Sequence, residues 1–167
     1  TKNFNLDNFI PSVLIIAFLV VGFIPNFGAV DKIAPQWVYL SVINILSAIY
    51  LFKQNKRFSE SIINTLNTGI SIFYILFFLW ALGSYFYAIN PTETIVNVTR
   101  QSNTLFMYLH LAIFIYNFKQ KNILLSSLMV IILSFEVYSV FTQALEMIDL
   151  KGVINPGELK GVTANRN

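Results

Sequence analysis

Five blocks of consecutive apolar residues follow one another along the chain, separated by short polar segments. They cover residues 9–27, 36–52, 69–89, 104–118 and 123–147. A helix of about twenty apolar residues spans the roughly 30 Å of hydrocarbon in a bilayer. The first, third and fifth blocks reach that length, and the second and fourth reach it with a flanking polar turn. The pattern predicts an all-α, polytopic membrane helix bundle with about five transmembrane helices.

Composition supports a membrane protein and excludes several other classes. Of the 167 residues, 56% are hydrophobic and only 11% are charged, whereas a soluble domain has about 25% charged residues. The chain has no cysteine and one histidine, His110, so we expect no disulfide, no metal site and no cofactor. The net charge of +3 is small and the basic residues are dispersed, so we expect no nucleic-acid partner.

The distribution of basic residues predicts the orientation of the helices. The segments after the second and fourth blocks carry five of them: Lys53, Lys56, Arg57, Lys119 and Lys121. The short internal loops on the opposite side carry only Lys32 and Arg100. Lysine and arginine accumulate in cytoplasmic loops, so we predict a cytoplasmic N-terminus and a C-terminus on the outer side.

Two segments on the outer side have the composition of a helix start. They are the Asn-Pro-Thr-Glu sequence at positions 90–93 and the Asn-Pro-Gly-Glu sequence at positions 155–158. Asparagine caps exposed N–H groups, proline suits the first turn, and glutamate reaches back to the cap. We expect residues 91–100 to form a helix along the membrane interface before the chain turns into the fourth span.

Two ionisable residues inside the predicted spans, His110 and Glu136, are candidates for function, because such groups are expensive in a bilayer. With about 1.5 Å of rise per residue, Glu136 and Arg100 differ by about 6 Å in height, so we expect them to pair. The pair is either a structural clasp or a substrate-facing group. His110 either hydrogen-bonds to a neighbouring helix, through Ser71 or Ser134, or takes part in catalysis.

Cationic and amide side chains gather on the predicted outer face. The cations are Arg100, Lys151, Lys160 and Arg166, and the C-terminal segment adds Asn165 and Asn167. Arginine and lysine at helix starts are suited to phosphate oxygens. The same residues also fit ordinary solvated charge, because acidic residues lie nearby in the sequence.

Two motifs resemble a known family. The segment 80–93, with Trp80 and Ser84 before the Asn-Pro turn and Arg100 after it, resembles the third-helix exit and outer loop of O-antigen ligase and O-antigen polymerase-like proteins. The segment 161–167 resembles the Gly-x-x-x-Asn-x-Asn segment that this family has between its fifth and sixth helices. The order of the motifs and their common outer side agree with the resemblance.

The resemblance implies a multi-pass protein of the bacterial inner membrane, with its C-terminus in the periplasm. Such proteins move a glycan from undecaprenyl diphosphate to lipid A-core or to a growing chain. The expected partners are membrane lipid and the carrier-linked glycan. The implied diphosphate and glycan ligands are Arg100, Lys160, Asn165, Arg166 and Asn167. No catalytic residue is assigned. Residues 1–167 then form a single transmembrane domain, the N-terminal part of a larger bundle.

A competing hypothesis is a non-catalytic membrane subunit or scaffold, whose partners are other membrane subunits. One half of a small transporter is disfavoured, because the helix count is odd and no internal repeat is evident.

Overall fold

The computed structural model describes residues 6–25, 27, 29, 31, 33–118 and 121–151. Across them the chain is helical and contains no strand, which confirms the all-α prediction. The α-helices are α1 (Leu6–Leu19), α2 (Ala34–Lys53), α3 (Asn55–Leu66), α4 (Gly69–Gly83), α5 (Pro91–Tyr116) and α6 (Lys121–Lys151). Short 3-10 helices continue α1 over Val20–Phe23 and α4 over Ser84–Tyr87.

Three helical segments are long and apolar enough to cross a membrane. They are Ala34–Lys53, Gly69–Tyr87 and Leu125–Ile148. The segment Phe9–Phe23 is apolar but shorter. These lengths and compositions suggest a membrane protein, as predicted. The count of five spans and their orientation stay predictions.

The chain forms two compact units, Thr1–Phe118 and Lys119–Asn167. In the first unit α5 is the central helix, because α1, α2, α3 and α4 all pack against it. The second unit contains α6. The single transmembrane domain expected for residues 1–167 stays a prediction.

Helix α5 is one uninterrupted helix, so the turn predicted between residues 100 and 104 is wrong. Neither glycine nor proline occurs between Pro91 and the end of α5. The Thr104 hydroxyl donates a hydrogen bond to the Arg100 backbone carbonyl in the same helix, at 2.7 Å. Nothing in this stretch therefore breaks the helix, and its polar first half continues straight into its apolar second half.

The start of α5 has the predicted chemistry. Asn90 is the N-cap and its side-chain oxygen accepts from the Glu93 backbone N–H at 3.3 Å. Its amide also donates to the Glu93 carboxylate at 3.4 Å, and Pro91 occupies the first turn. The helix start predicted at this position is confirmed. The similar Asn-Pro sequence at 155–158 lies outside the described residues.

Helix α3 was not predicted, since its sequence lies in the segment assigned to a basic cytoplasmic loop. Its buried face consists of Phe58, Ser61 and Thr65, spaced three and four residues apart. The Phe58 ring packs edge-on against Phe114 of α5, with ring centroids 5.9 Å apart. Burial of one aromatic ring and two small hydroxyl side chains lets this short polar helix pack closely against α5.

Polar contacts hold the two ends of α5 to different partners. Near its beginning, Arg100 pairs with Asp31 in the segment before α2. At its end, Asn117 donates to the Ser61 hydroxyl of α3, and Asn64 donates to the Tyr116 hydroxyl at 2.9 Å. Asp31 and Arg100, both predicted on the outer side, therefore lie together near one end of α5. The contacts with α3, whose residues were predicted on the cytoplasmic side, lie at its other end.

Candidate functional site

A line of hydrogen-bonded polar side chains joins α2 to α5, and we call it the polar seam. Helix α2 contributes Ser41 and Asn44, and helix α5 contributes Asn103 and His110. Residues three, four or seven positions apart share one face of a helix, so each helix turns its two members towards the other helix.

The hydrogen bonds of the polar seam run without a gap from the Ser41 hydroxyl to the His110 imidazole. The Asn103 amide donates to the Ser41 hydroxyl at 3.0 Å. The Asn44 amide nitrogen donates to the Asn103 carbonyl at 2.9 Å, and the Asn44 side-chain oxygen lies 3.1 Å from Nδ1 of His110. With that amide oxygen as the acceptor, Nδ1 carries the proton, which leaves Nε2 unprotonated in the neutral ring.

The partner of His110 differs from the predicted ones. The predicted interhelical hydrogen bond exists, but its partner is Asn44 rather than Ser71 or Ser134. The Ser71 hydroxyl instead lies 3.0 Å from the Tyr108 hydroxyl. The Ser134 hydroxyl donates to a carbonyl of its own helix at 2.7 Å.

Aromatic rings surround the His110 imidazole. The rings of Phe18, Phe106 and Phe114 have centroids 6.1, 6.2 and 6.5 Å from that of the imidazole, and all lie within 23° of its plane. Packing therefore restrains the ring orientation that the Asn44 hydrogen bond selects. The Asn44 and Phe18 contacts join α5 to α2 and α1 and agree with the interhelical role weighed for His110, whereas Phe106 and Phe114 lie on α5 itself.

Arg100 lies on α5 one turn before Asn103 and forms an ion pair with Asp31. The Arg100 Nη2 atom is 2.7 Å from Asp31 Oδ2, and the two side chains are 31% and 48% exposed. The guanidinium also lies over the Trp37 ring of α2, 5.8 Å from its centroid. The other Asp31 oxygen accepts from the Ile33 backbone N–H at 3.1 Å, so Asp31 is fixed at the start of α2.

A cavity of about 530 Å³ lies between α2, α4 and α5, and we call it the groove. Six of its residues are polar: Ser41, Asn44, Thr99, Ser102, Asn103 and His110. The other six are apolar: Ile45, Ala48, Phe78, Leu82, Val98 and Phe106. The rim residues Ile45 and Phe106 are 59% and 47% exposed, so the groove opens sideways between the helices.

A second cavity, of about 400 Å³, lies at the turn from α4 to α5. It is lined by Ser84, Tyr87, Ala88, Ile89, Asn90, Glu93, Thr94 and Asn97. The segment that carries the family resemblance forms much of this surface. Since Asn90 and Glu93 also cap α5, a change in either residue affects the helix as well as the cavity.

No contact among the described residues brings the remaining predicted site residues to the groove. Lys160, Asn165, Arg166 and Asn167 lie outside the described residues. Glu136 belongs to α6 in the second compact unit, so its pairing with Arg100 stays a prediction. Within the described part of the chain, no group of three or more His, Asp or Glu side chains is placed to hold a metal ion.

Sequence reasoning missed four residues of the polar seam and its neighbouring ion pair: Asp31, Ser41, Asn44 and Asn103. The two asparagines had a detectable signal, because each is a polar residue close to or within an apolar block. Such residues in membrane helices usually bond across to another helix. Searching only for ionisable groups overlooked them.

Comparison of the chain with protein-family models, with curated proteins and with solved structures finds no match. The resemblance to O-antigen ligases and polymerases therefore stays a prediction.

Proposed function

We propose that this chain contributes the carrier-binding helices of a membrane glycosyltransferase. The enzyme moves a glycan from undecaprenyl diphosphate to an acceptor at the outer face of the bacterial inner membrane. One observation carries the proposal: the groove is lined by six apolar and six polar residues, and Arg100 follows Thr99 at one end of it. This combination suits a ligand with a long apolar chain and an anionic head.

The groove has the dimensions for a segment of a polyprenyl chain. Its α5 residues extend from Val98 to His110, which corresponds to about 18 Å along a helix. The openings beside Ile45 and Phe106 would give a lipid chain access from the side, and the aliphatic and aromatic wall would replace its contacts with other lipids. The hydrogen bonds of the polar seam hold four of the polar lining side chains in place.

Arg100 is the proposed partner of the diphosphate. Its exposed ion pair with Asp31 has the character of a surface salt bridge, which contributes about 0–1 kcal/mol. A diphosphate carries more charge than one carboxylate and accepts two parallel hydrogen bonds from a guanidinium, so it can replace Asp31. Neutralising charge that develops on the leaving diphosphate would favour glycan transfer.

Five membrane spans with a cytoplasmic N-terminus fit the proposal. Helix α5 is less apolar than the other spans, but four helices of its unit pack against it. Its polar seam therefore faces protein, which is where polar residues of a membrane helix are tolerated. The contact of Arg100 with Asp31 supports a location on the same side of the membrane for both residues, and the basic-residue distribution predicts that this side is the outer one.

A non-catalytic subunit or scaffold is the alternative, and the same ion pair favours it. Asp31 bonds to the start of α2 and to Arg100 of α5, so the pair alone explains why an arginine lies there. In this alternative Arg100 only clasps two helices.

Binding of undecaprenyl diphosphate to the purified full chain in detergent distinguishes the two functions. For the carrier site, Arg100→Gln should weaken binding about 10- to 100-fold, which corresponds to one hydrogen-bonded charged contact. Asp31→Asn, the matched control, should bind as well as the unaltered chain or more tightly. Ala48→Phe, which fills the groove without changing charge, should also weaken binding.

Equal losses in the two ion-pair variants, with matched losses of thermal stability, would support the clasp instead. Transfer of carrier-linked glycan to an acceptor is then measured in two membrane preparations. One contains the natural protein and the other contains the Arg100→Gln variant. Unchanged transfer in that variant would contradict the role of Arg100.

A further inference from the structure

Helix α3 has a buried side and an exposed side. Phe58, Ser61 and Thr65 are buried against the rest of the unit. The exposed side carries the charged residues Lys56 and Glu60 in the first half of the helix and the apolar residues Ile63 and Leu66 in the second half. A helix with a protein-facing side and an exposed side of apolar and charged residues is suited to the boundary between a membrane and water.

The connections of α3 place it along that boundary. Only Gln54 separates it from α2, and only Asn67 and Thr68 separate it from α4. Both neighbouring helices are long and apolar enough to span a membrane, whereas the twelve residues of α3 extend about 18 Å. This is too short to cross roughly 30 Å of hydrocarbon, so α3 runs beside the membrane surface and not through it.

Two hydrogen bonds fix α3 at the end of α5. They join Ser61 to Asn117 and Asn64 to the Tyr116 hydroxyl. A helix held in this way keeps its charged residues at a constant height relative to α5. The basic residues near its beginning are therefore presented to the headgroup region as a fixed cluster.

The charge of this surface is positive. Lys53, at the end of α2, and Lys56 are both exposed, and the Arg57 guanidinium lies over the Phe58 ring, 5.1 Å from its centroid. Glu60 is the one acidic residue of α3. Lysine beside an anionic bilayer surface contributes attraction that falls off within about 10 Å.

We infer that Lys53 and Lys56 form a binding site for the phosphates of anionic phospholipids in the cytoplasmic leaflet, with Ile63 and Leu66 in contact with the acyl chains of those lipids. This inference does not depend on glycan transfer. It requires that α2 and α4 span the membrane and that the end of the bundle with α3 is the cytoplasmic end. The site would hold the inner end of the bundle at a set depth in the bilayer.

Lipid quenching of a fluorophore on α3 tests the site in the full chain. Since the chain has no cysteine, Ser59→Cys gives a single labelling position on exposed α3 surface. The labelled protein is placed in phosphatidylcholine vesicles that contain spin-labelled phosphatidylglycerol or, for comparison, spin-labelled phosphatidylcholine. We expect several-fold stronger quenching by phosphatidylglycerol.

Charge variants give the decisive comparison. Lys53→Gln and Lys56→Gln should each lower the relative binding of phosphatidylglycerol about fivefold at low salt. Glu60→Gln, which removes the opposing charge, should raise it. Arg100→Gln is a control at the other end of α5 and should leave this quenching unchanged.

Equal quenching by the two lipids in the unaltered chain would overturn the inference, and so would an unchanged preference in both lysine variants. Carrier binding should survive the lysine substitutions, so a failure of this site and a failure of the carrier site are separate results.

Discussion

The side-chain oxygen of Asn44 lies 3.1 Å from Nδ1 of His110, which joins α2 to α5 inside the first compact unit. Both side chains are only 6% exposed. Because the Asn44 amide nitrogen also donates to the Asn103 carbonyl, one asparagine side chain satisfies two polar groups of α5. Asn44 is therefore the residue on which the polar seam depends.

Replacing Asn44 by alanine should destabilise the protein. Hydrogen bonds between membrane helices contribute about 0.6 kcal/mol on average and up to about 1.7 kcal/mol. We expect a loss at the upper end of this range, because Asn44→Ala leaves the His110 nitrogen and the Asn103 carbonyl without this partner. The measurement is the midpoint of unfolding in mixed detergent. The control is Ser102→Ala, since the Ser102 side chain has no hydrogen bond within the described residues.

A double-mutant cycle checks that the effect belongs to the pair. If Asn44 and His110 act together, the variant with both residues replaced by alanine loses less stability than the sum of the single variants. Additive losses would show that the two residues contribute independently.

Local chemistry explains which helix starts were predictable. The Asn90 cap and the prolines at the beginnings of α2 and α5 act through the backbone of their own first turn, so their effect is visible in a few consecutive residues. Helix α3 gave no such signal, because hydroxyl side chains at Ser61 and Thr65 form part of its buried face. A pattern search that requires apolar residues at those positions misses it.

Partners across helices were harder to predict, because they depend on how each helix is rotated. Counting residues from a turn estimates the height of His110 but not the direction in which its ring points. Ser71, one of its predicted partners, bonds to Tyr108. Arg100 was predicted at the end of a separate interface helix and lies instead within the continuous helix α5. Its ion pair with Asp31 depends on the path of the chain before α2.

Removal of the α5 cap should weaken the beginning of that helix. Asn90→Ala takes away the acceptor for the Glu93 N–H, and loss of such a cap costs about 1 kcal/mol. Hydrogen exchange of the first turn of α5 should rise, and the unfolding midpoint should fall. Asn90→Asp keeps an acceptor and should preserve both.

The control for the cap is Asn97→Ala in the same helix, because the Asn97 side chain is exposed and makes no hydrogen bond within the described residues. Equal effects at positions 90 and 97 would contradict a capping role.

The packing of α3 depends on Phe58. This ring is 0% exposed and makes edge contacts with Tyr50 and Phe114. Phe58→Ala should lower the free energy of unfolding by about 3 kcal/mol, because a large cavity replaces the ring. Phe73→Ala makes the same substitution on α4 at a side chain that is 76% exposed, and it should have little effect. Similar losses at the two positions would mean that α3 is not packed as described.

Cysteine labelling tests the predicted orientation of the spans, and the natural chain has no cysteine that would interfere. Thr92→Cys, in the first turn of α5, should react with a membrane-impermeant maleimide added to intact cells, since we predict that this turn lies outside. Lys56→Cys, near the beginning of α3, should react only after the membrane is opened. Both positions are exposed, so a failure to react reports the membrane barrier and not burial. If the two positions react in the opposite order, the bundle is inverted. Arg100 would then face the cytoplasm, and the basic end of α3 would face the outer leaflet.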